Sequence, residues 1–542
     1  MLQPITINQP TWRFFFYMHN SKRFCYDCYT NKIYLLSDLL YNLLKSHKYA
    51  KIRKYNSTFF ENILQTTEKQ PHIYSENNCV VTIDFSNTCN LCCKYCYTKK
   101  NQNIIKTKKE DLEQIIRFFR FDFMPNAEQF CFSLGYSGES SFELDYLIHF
   151  DSLIAKYEGY LFSESLFENK YPSDVFTILP EEIKRKYPDI THKNNSEIIN
   201  VLNDILMKES LWNYYDFSNN QYLSSMLEFT KKPSLSKRVI ANRQIINDYF
   251  KTYNLKEKIK FMSMSFMTNG TNITDEYIEF IKSIYMKEIW VSFDGLQENH
   301  NKNRCYYDGS GSFIDVLNGI RKLQKNDITV NASLVVTPTT CNIYESINYM
   351  LSLGIKYITI AISRGNNIHT IFGKDQIDIL LENFDKIYSK LLVDLKNKDY
   401  RLLESIKNNF FILSVGIIGS GNGNLARCKW GTEIIIDPKG DIYHCNSTIG
   451  NPKDYMGNWK TNINVQQLFK QKNVNDYKRC KKCFAKYLCG GTCYAEEINN
   501  HKENIKAECY FRKEITKKCI LFYTQLKSEN LLSDFISEIS IK

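Results

Sequence analysis

Three cysteines, Cys89, Cys93 and Cys96, lie in one short segment with the spacing C-x3-C-x2-C. Three thiolates can hold three irons of a [4Fe–4S] cluster and leave the fourth iron without a protein ligand. An iron with an open position can bind a small molecule and do chemistry on it, whereas a fully ligated cluster mainly transfers electrons. A zinc knuckle is the alternative, but zinc prefers four ligands from paired groups, and Cys92 lies too close to Cys93 to complete such a pairing. The segment therefore favours an iron–sulfur cluster.

This segment follows the apolar run 80–85 and resembles the hallmark of the radical S-adenosylmethionine (SAM) enzymes. These enzymes place the spacing at the end of the first barrel strand, with an aromatic residue, here Tyr95, before the last cysteine. The resemblance implies that Cys89, Cys93 and Cys96 form a catalytic cluster that binds SAM, with Tyr95 among the cofactor-binding residues. An electron from a donor such as flavodoxin or ferredoxin would cleave the SAM sulfonium bond. The resulting 5′-deoxyadenosyl radical would then remove a hydrogen atom from the substrate.

The composition is ordinary for a soluble globular protein: 542 residues, 43% hydrophobic and 24% charged. We find no apolar run long enough to cross a bilayer and no secretory signal at the N-terminus, so we expect a cytoplasmic protein without membrane partners. Eighteen cysteines in a reducing compartment indicate metal ligands or catalytic thiols rather than disulfides. The net charge of +11 fits a solvated basic surface or an acidic partner, and without a nucleic-acid motif a nucleic-acid partner is not expected.

Residues 12–46 predict a small domain of three strands and one helix. The strands are expected at 12–17, 24–29 and 33–36, and the helix at 37–44 behind a Ser cap. This order is similar to the leader-peptide recognition element of many peptide-modifying radical SAM enzymes, where a peptide adds as an extra strand to the sheet edge. We therefore assign residues 1–78 to a small α+β, winged-helix-like domain that recognises the leader of a precursor peptide.

Two cysteines of this domain, Cys25 and Cys28, lie three positions apart within a predicted strand. Side chains alternate between the two faces of a strand, so these two thiols should point in opposite directions. We expect them to be packing or surface thiols and not ligands of one metal.

From residue 80 the pattern alternates strand and helix. The predicted strands are 80–85, 129–135, 260–267, 288–293, 328–336 and 356–361. The predicted helices are 108–120, 238–253, 274–286, 313–325, 342–353 and 374–395. Six such units suggest an α/β fold with a parallel curved sheet, which matches the partial (β/α)6 TIM-like barrel of the radical SAM family. We assign residues 79–400 to this core barrel, with a mostly helical insertion at about 145–236.

The ends of two predicted strands resemble further SAM-binding elements of the family. The segment Gly135-Tyr-Ser-Gly-Glu-Ser140 stands where the family has Gly-Gly-Glu-Pro; Gly138 and Glu139 match, and Ser140 replaces the proline. The backbone and acidic group there engage the amino group of the methionine. Thr-Asn-Gly follows the third strand, which implies a cofactor-binding role for Asn269.

The segment 292–313 closely resembles a Ser-x-Asp-Gly…His…Arg…Gly-x-x-Ser-Phe signature of peptide-maturing members. The resemblance implies that Ser292 and Arg304 contact the SAM carboxylate, which a planar guanidinium fits with two parallel hydrogen bonds. Asp294 and His300 are expected to serve structure.

Seven further cysteines are concentrated in the C-terminal part, and their spacings agree with the seven-cysteine framework called SPASM. They are Cys428, Cys445, Cys480, Cys483, Cys489, Cys493 and Cys509. A zinc ribbon would suit Cys480 and Cys483 alone, but seven ordered thiols beside a radical SAM motif favour iron and sulfur. The resemblance implies that Cys480, Cys483, Cys489 and Cys509 ligate one auxiliary cluster completely. The other three would ligate a second auxiliary cluster, so we expect three [4Fe–4S] clusters, two of them in a SPASM domain at 401–542.

No cysteine stands between Cys428 and Cys445, so the three-cysteine auxiliary cluster is left with an open iron or a non-cysteine ligand. We hypothesise that a substrate thiolate docks there, because thiolates are natural soft ligands. Cys519 is a reserve ligand candidate. The remaining single cysteines are expected to be ordinary buried thiols: Cys79, Cys131, Cys305 and Cys341.

These resemblances favour a radical SAM/SPASM peptide maturase that modifies a ribosomally synthesised precursor peptide and forms thioether cross-links. The alternative enzyme is an anaerobic sulfatase-maturating enzyme, which oxidises a Cys or Ser to formylglycine. Such enzymes carry an Asp base directly after the second SPASM cysteine, whereas Asn446 follows Cys445, and an amide cannot accept that proton. Carbon–carbon cross-linking, epimerisation and a non-catalytic iron–sulfur or zinc scaffold stay open.

Overall fold

The structure is a computed structural model. It describes residues 11–64, 78–97, 105–123, 129–135, 138–154, 261–284, 286–365, 367–420, 433–464 and 473–539, together with the short stretches 423–424 and 426–428 and positions 185 and 188. Within these ranges every helix is too short or too polar to cross a membrane.

The N-terminal part forms a three-stranded antiparallel sheet in the order β1-β2-β3, followed by helices. The strands are β1 (Phe14–His19), β2 (Lys22–Asp27) and β3 (Lys32–Leu36), and the helices are α1 (Asp38–Lys45), α2 (Tyr49–Tyr55) and α3 (Ser57–Phe59). Asn20 and Ser21 adopt positive φ angles at the first turn, and Ser37 caps α1 by accepting a hydrogen bond from the Leu40 N–H at 3.3 Å. The predicted strand–strand–strand–helix order is confirmed.

The N-terminal sheet packs on both faces. Cys25 is buried among the side chains of the α1–α2 layer, whereas Cys28 is buried in the main core, so the predicted opposite orientation is confirmed. The rings of Phe15 and Phe484 stack with centroids 5.1 Å apart, which attaches this sheet to the C-terminal part of the chain.

A second, larger sheet forms the barrel. Its strands are β4 (Asn78–Ile83), β5 (Gln129–Leu134), β6 (Phe261–Thr268), β7 (Glu288–Ser292), β8 (Thr329–Val336), β9 (Ile358–Ile362), β10 (Glu433–Ile436) and β11 (Ile442–Tyr443). The order is β11-β10-β4-β5-β6-β7-β8-β9. The strands β4 to β9 lie side by side in chain order and are all parallel, which confirms the six predicted barrel strands.

The helices of the barrel follow their strands along the chain. They are α4 (Lys109–Arg117), α5 (Asp275–Ser283), α6 (Gln297–Asn303), α7 (Phe313–Lys325), α8 (Ile343–Ser352) and α9 (Lys374–Lys396). The predicted helix 238–253 lies outside the described residues, as does the predicted insertion from 155 onward apart from positions 185 and 188. Residues 144–154, which include the start of that insertion, are helical, and Phe150 packs edge-on against Phe132 of β5.

The C-terminal part adds further strands and α-helices, the longest of them 27 residues. Besides β10 and β11 these are β12 (Gly457–Asn458), β13 (Asn462–Ile463), α10 (Arg401–Ile406), α11 (Phe410–Ile417), α12 (Lys486–Cys489), α13 (Tyr494–Ile498), α14 (Lys502–Ser528) and α15 (Leu532–Ile539). We did not predict that β10 pairs in parallel with β4, with Ile434 opposite Val81 and Ile436 opposite Ile83. The cysteine-rich region is thereby joined to the strand that leads into the Cys89 loop.

Candidate functional site

The loop that carries Cys89, Cys93 and Cys96 lies at the C-terminal end of β4 and rests on the segment that follows β7. The Cys92 N–H donates to the Cys305 carbonyl at 2.6 Å, and the Lys94 N–H donates to the Asn303 carbonyl at 2.9 Å. The three thiols are half-buried. They converge on Tyr307, whose pKa is raised by burial and by the thiolates of Cys89, Cys92, Cys96 and Cys93. The predicted ligands of the SAM cluster therefore face one small region.

Tyr95 connects this loop to Asp294 and Arg304. The Tyr95 hydroxyl donates to Asp294 Oδ2 at 3.3 Å, and the Arg304 guanidinium carbon lies 5.3 Å from the centroid of the Tyr95 ring. Arg304 donates to both Asp294 oxygens, from Nε at 3.1 Å and from Nη2 at 3.2 Å. Two predicted cofactor-binding residues, Tyr95 and Arg304, are thus brought together, and the guanidinium already has a carboxylate partner.

His300 is a structural residue of the same loop. It is fully buried, its Nδ1 accepts the Asp294 N–H at 3.3 Å, and its Nε2 lies 3.0 Å from Ser312 Oγ. Burial, followed by the nearby Arg304 charge, lowers the pKa of His300 well below its usual range. A neutral imidazole that joins two backbone segments fits the structural role expected for His300.

Gly138 and Glu139 brace the loop at the end of β5. A Cβ atom on Gly138 would lie 2.5 Å from the Ser86 carbonyl oxygen and 2.7 Å from that of Thr88, so only glycine fits beside the segment that leads to Cys89. The buried Glu139 carboxylate accepts hydrogen bonds from Thr268 Oγ1 and from the Asn269 N–H. Glu139 therefore joins the end of β5 to the end of β6.

Asn269 makes the direct contact between the end of β6 and the cysteine loop. Its side-chain amide donates to Asn90 Oδ1 at 2.9 Å and lies 3.9 Å from Cys89 Sγ. Asn269 is thus a predicted cofactor-binding residue whose side chain contacts a predicted cluster ligand, Cys89. This position agrees with a role in shaping the SAM site.

A cavity of about 320 Å³ opens inside the barrel. Polar side chains from successive strands line it, namely Ser133, Ser265, Ser333 and Thr359, together with Trp290. Ser292, at the end of β7, lies opposite Ser333 in the register. The sequence analysis missed this polar face, although Ser133 in β5 and Ser263 and Ser265 in β6 each stand between apolar residues.

Four of the C-terminal cysteines surround a second cavity, of about 160 Å³. They are Cys480, Cys483, Cys489 and Cys509, the four residues predicted to ligate one auxiliary cluster. Burial is the main cause that raises the pKa of Cys480 to about 12 and that of Cys509 to about 11. Among the described residues, no three His, Cys, Asp or Glu side chains come close enough to hold a single metal ion. A ring of thiols around a cavity fits a cluster of several irons, because each thiolate then binds a different iron.

Cys428, Cys445 and Cys493 all lie near enough to Arg364 to act on its charge. Burial acts to lower the pKa of Arg364, but the thiolates of Cys493, Cys428 and Cys445 outweigh it and raise that pKa. Arg364 follows β9, so this three-thiol group faces the C-terminal end of the barrel strands. The division of the seven cysteines into two ligand sets stays a prediction from the resemblance; the four predicted ligands of one set line one cavity.

The remaining cysteines have different surroundings. Cys519 is buried 3.3 Å from the Tyr388 hydroxyl and 3.4 Å from the Phe411 carbonyl, and Cys341 is buried as predicted. The prediction of burial was wrong for Cys131 and Cys305, which are half-exposed, because Cys131 lies on the polar inner side of the sheet near Ser265 and Cys305 lies against the cysteine loop. The side chain of Cys79 lies outside the described part of the chain.

A parallel barrel sheet with three thiols at the end of its first strand and a cysteine-rich C-terminal region is the arrangement that the resemblance to radical SAM enzymes with a SPASM extension implied. No family model matches the chain. The chain is 25% identical over 352 residues to the cysteine-type anaerobic sulfatase-maturating enzyme of Clostridium novyi, a match that covers 56% of this chain and 90% of that protein. It is 24% identical over 254 residues to the serine-type enzyme of Bacteroides thetaiotaomicron, covering 42% of this chain and 59% of that protein.

A solved structure supports the same fold. The structure of native anSMEcpe with bound AdoMet aligns with a TM-score of 0.51 and 16% identity, over 82% of this chain and 99% of that one. Another structure of that protein, with a TM-score of 0.50, holds AdoMet and the Cp18Cys peptide. The chain is therefore homologous to the anaerobic sulfatase-maturating enzymes.

Proposed function

We propose that this enzyme modifies a ribosomally synthesised precursor peptide and joins a cysteine sulfur of that peptide to a carbon atom, forming a thioether. The observation that supports this most is the nearness of Cys428, Cys445 and Cys493 to Arg364. Three thiolates leave one iron of a [4Fe–4S] cluster without a cysteine ligand, and a substrate thiolate is a soft ligand suited to that iron.

The catalytic centre in this proposal is the Cys89 loop at the mouth of the barrel. Cys89, Cys93 and Cys96 hold the first cluster, and Asn269 fixes the orientation of Cys89 through its contact at 3.9 Å. When bound, this cluster and SAM supply a 5′-deoxyadenosyl radical. The barrel cavity of about 320 Å³ lies at the inner face of the strands and gives room for the side chain to be modified.

Ser292, Arg304, Gly138 and Glu139 complete the proposed SAM site. Arg304 keeps its guanidinium plane fixed through Asp294, so its remaining N–H groups are oriented for a carboxylate. Glu139 has three protein donors, Thr268, Asn269 and Ser141, and therefore positions the loops around the methionine amino group.

Two auxiliary clusters are proposed for the C-terminal domain, which gives three clusters in all. Cys480, Cys483, Cys489 and Cys509 line one cavity and supply a complete set of four ligands. Cys428, Cys445 and Cys493 hold the other cluster. An external donor such as flavodoxin or ferredoxin provides the electrons.

The leader of the precursor peptide is proposed to bind the N-terminal sheet. Within the described residues β3 pairs with β2 alone, so its other edge presents backbone groups that a peptide strand can pair with. Leu35 of β3 is 61% exposed, which gives a peptide side chain an apolar surface beside that edge.

Formylglycine formation is a second candidate, because the curated relatives are anaerobic sulfatase-maturating enzymes. The residue after Cys445 speaks against it in this chain. Asn446 stands there, and its buried Oδ1 has no hydrogen-bond partner among the described residues. An amide oxygen cannot take up the proton that a carboxylate base would accept.

The deciding experiment uses anaerobically reconstituted enzyme with SAM and dithionite. Formation of 5′-deoxyadenosine shows radical chemistry, and its absence would leave only a non-catalytic scaffold. The enzyme is then incubated with the short cysteine-containing peptides encoded beside its gene and with a synthetic sulfatase-type cysteine peptide.

The products distinguish the two candidates. A thioether product retains sulfur, loses two hydrogen atoms and no longer reacts with iodoacetamide at the linked cysteine. A formylglycine product loses the cysteine sulfur and reacts with a hydrazide. If the wild type forms the hydrazide-reactive formylglycine product, the thioether proposal is overturned. If only the Asn446→Asp variant forms formylglycine, the thioether proposal for the wild type is supported.

A further inference from the structure

Arg512, on α14, presents a buried guanidinium to the four-thiol cavity. Its side chain is about nine-tenths buried and lines the cavity together with Cys480, Cys483, Cys489 and Cys509. The guanidinium carbon lies 3.8 Å from the centroid of the Phe410 ring on α11. Stacking on an aromatic face fixes the plane of the guanidinium and therefore the direction of its N–H groups.

The Nε–H of Arg512 lacks an acceptor within the described residues. The Nε atom is buried and makes no hydrogen bond. Glu508 Oε1 lies 4.0 Å away, which is too far for a hydrogen bond, and Glu508 accepts instead from Arg427. A buried charged donor without an acceptor is costly, so the geometry calls for an acceptor that is not a protein group.

The missing acceptor is placed inside the cavity, because Arg512 and the four thiols line the same space. Burial lowers the pKa of Arg512, and the charge of Cys489, one of the four cavity thiols, acts against that lowering. The lining also carries more basic than acidic residues: Glu508 stands against Arg479, Lys486, Lys506, Arg512 and Lys513, of which Arg479 pairs with Glu497 and Lys506 with Glu503. A [4Fe–4S] core held by four thiolates carries a net charge of about −2 when oxidised and about −3 when reduced, which suits such surroundings.

We propose that Arg512 donates its Nε–H to a sulfur of the auxiliary cluster held by Cys480, Cys483, Cys489 and Cys509, and thereby raises the reduction potential of that cluster. The inference rests on the proposed occupancy of this cavity by an iron–sulfur cluster. One-electron reduction adds a negative charge to the cluster, so a fixed cation and an N–H donor stabilise the reduced form more than the oxidised form. Arg512 is therefore a residue that sets how readily this cluster accepts an electron.

The test is a redox titration of anaerobically prepared full-length holoenzyme, monitored by electron paramagnetic resonance. Added SAM identifies the signal of the first cluster by its change, which leaves the auxiliary signals. Wild type is compared with Arg512→Gln, Arg512→Lys and Lys517→Gln. Lys517 lies on the same helix but pairs with Glu514 and does not line the cavity, so it serves as the control.

At the potential where the auxiliary cluster of the wild type is half reduced, Arg512→Gln should lower the ratio of reduced to oxidised cluster about tenfold. This change equals a shift of about 59 mV to lower potential for a one-electron couple. Arg512→Lys keeps the charge but loses the planar donor, so it should shift the potential in the same direction by less. Lys517→Gln should leave the potential unchanged.

Iron analysis separates the two ways in which the idea can fail. Wild-type enzyme without iron in this cavity would overturn both the cluster proposal and the role of Arg512. Fully loaded Arg512→Gln and Arg512→Lys enzymes with the wild-type potential would overturn the role of Arg512 alone. If Arg512→Gln does not bind iron, the potential of Arg512→Lys decides.

Discussion

Arg304 and Asp294 form a two-point ion pair in which both side chains are buried, with 6% and 1% of their side-chain surface exposed. Asp294 also accepts the Val335 N–H at 2.9 Å and the Tyr95 hydroxyl at 3.3 Å. One carboxylate thus joins the loop after β7, the strand β8 and the cysteine loop. The pair therefore supports the Cys89 loop as well as the barrel.

Replacing Asp294 with Ala should destabilise the protein by about 3–5 kcal/mol, because it leaves the Arg304 charge buried without a partner. Urea unfolding monitored by circular dichroism measures the change. The matched control is Glu298→Ala on α6, whose partner Lys302 is exposed. That change should cost less than about 1 kcal/mol. Equal effects of the two substitutions would contradict the importance of the buried pair.

Glu139 should make the stability of the fold depend on pH. Burial raises the pKa of Glu139 above its ordinary value of 4.5, although the hydrogen bonds from Thr268, Asn269 and Ser141 act against it. Because folding raises this pKa, the contribution of Glu139 to the free energy of unfolding is present in full below about pH 4.5. It is lost as the pH rises through the pKa of Glu139 in the folded state. The difference in free energy of unfolding between wild type and Glu139→Gln should therefore decrease as the pH rises from 5 toward neutrality.

An exposed glutamate provides the comparison of opposite sign. A hydrogen bond from Lys302 lowers the pKa of Glu298, so its contribution is present above the ordinary pKa and is lost as the pH falls. The difference between wild type and Glu298→Gln should not decrease with rising pH. If the difference in free energy of unfolding between wild type and variant changes with pH in the same way for Glu139→Gln and Glu298→Gln, burial of Glu139 does not govern its ionisation.

Gly138→Ala should disturb the cysteine loop. The added methyl group meets the carbonyl oxygens of Ser86 and Thr88, and backbone cannot yield as a flexible side chain does. We expect a loss of about 1–3 kcal/mol in stability and a lower iron content of the SAM cluster. Gly373→Ala is the control, because its methyl group would meet only the end of the Gln376 side chain. Normal iron in Gly138→Ala would argue against the tight fit.

Cys480→Ser and Cys519→Ser should differ in iron content. Cys480 lines the four-thiol cavity, and its loss should remove the iron of one cluster, about four atoms per chain. Cys519 lies in the core beside Tyr388 and Phe411, so its replacement should leave the iron content unchanged. Iron and sulfide analysis of both purified variants provides the measurement. Loss of a cluster in Cys519→Ser would return that residue to the list of ligands.

The six barrel strands could be predicted because their apolar runs are bounded by turn residues, and the observed ends differ by at most a few positions. The pairing of β10 with β4 could not be predicted, because the two strands lie far apart in sequence and belong to regions assigned to different domains. The apolar run Ile434–Ile436 before Pro438 and Gly440 was the available signal for a strand and turn.

The sequence predicted which residues belong to the candidate site, but it did not predict which residues contact one another there. The resemblance, and not the spacing itself, divided the seven C-terminal cysteines into two ligand sets, and the four predicted ligands of one set line one cavity. Spacing does not reveal that Arg304 pairs with Asp294, or that the carboxylate of Glu139 is taken by neighbouring loops. Those contacts depend on how the ends of separate strands meet.

The pairing of β10 with β4 has a consequence for any shortened form of this enzyme. A chain that stops before residue 433 would leave one edge of β4 bare, and the Asp84 N–H would lose the Ile436 carbonyl that accepts it at 2.9 Å. The damage would fall on the strand that feeds the Cys89 loop, far along the chain from the cut. The structural integrity of the Cys89 loop thus depends on the cysteine-rich C-terminal region through the pairing of β10 with β4.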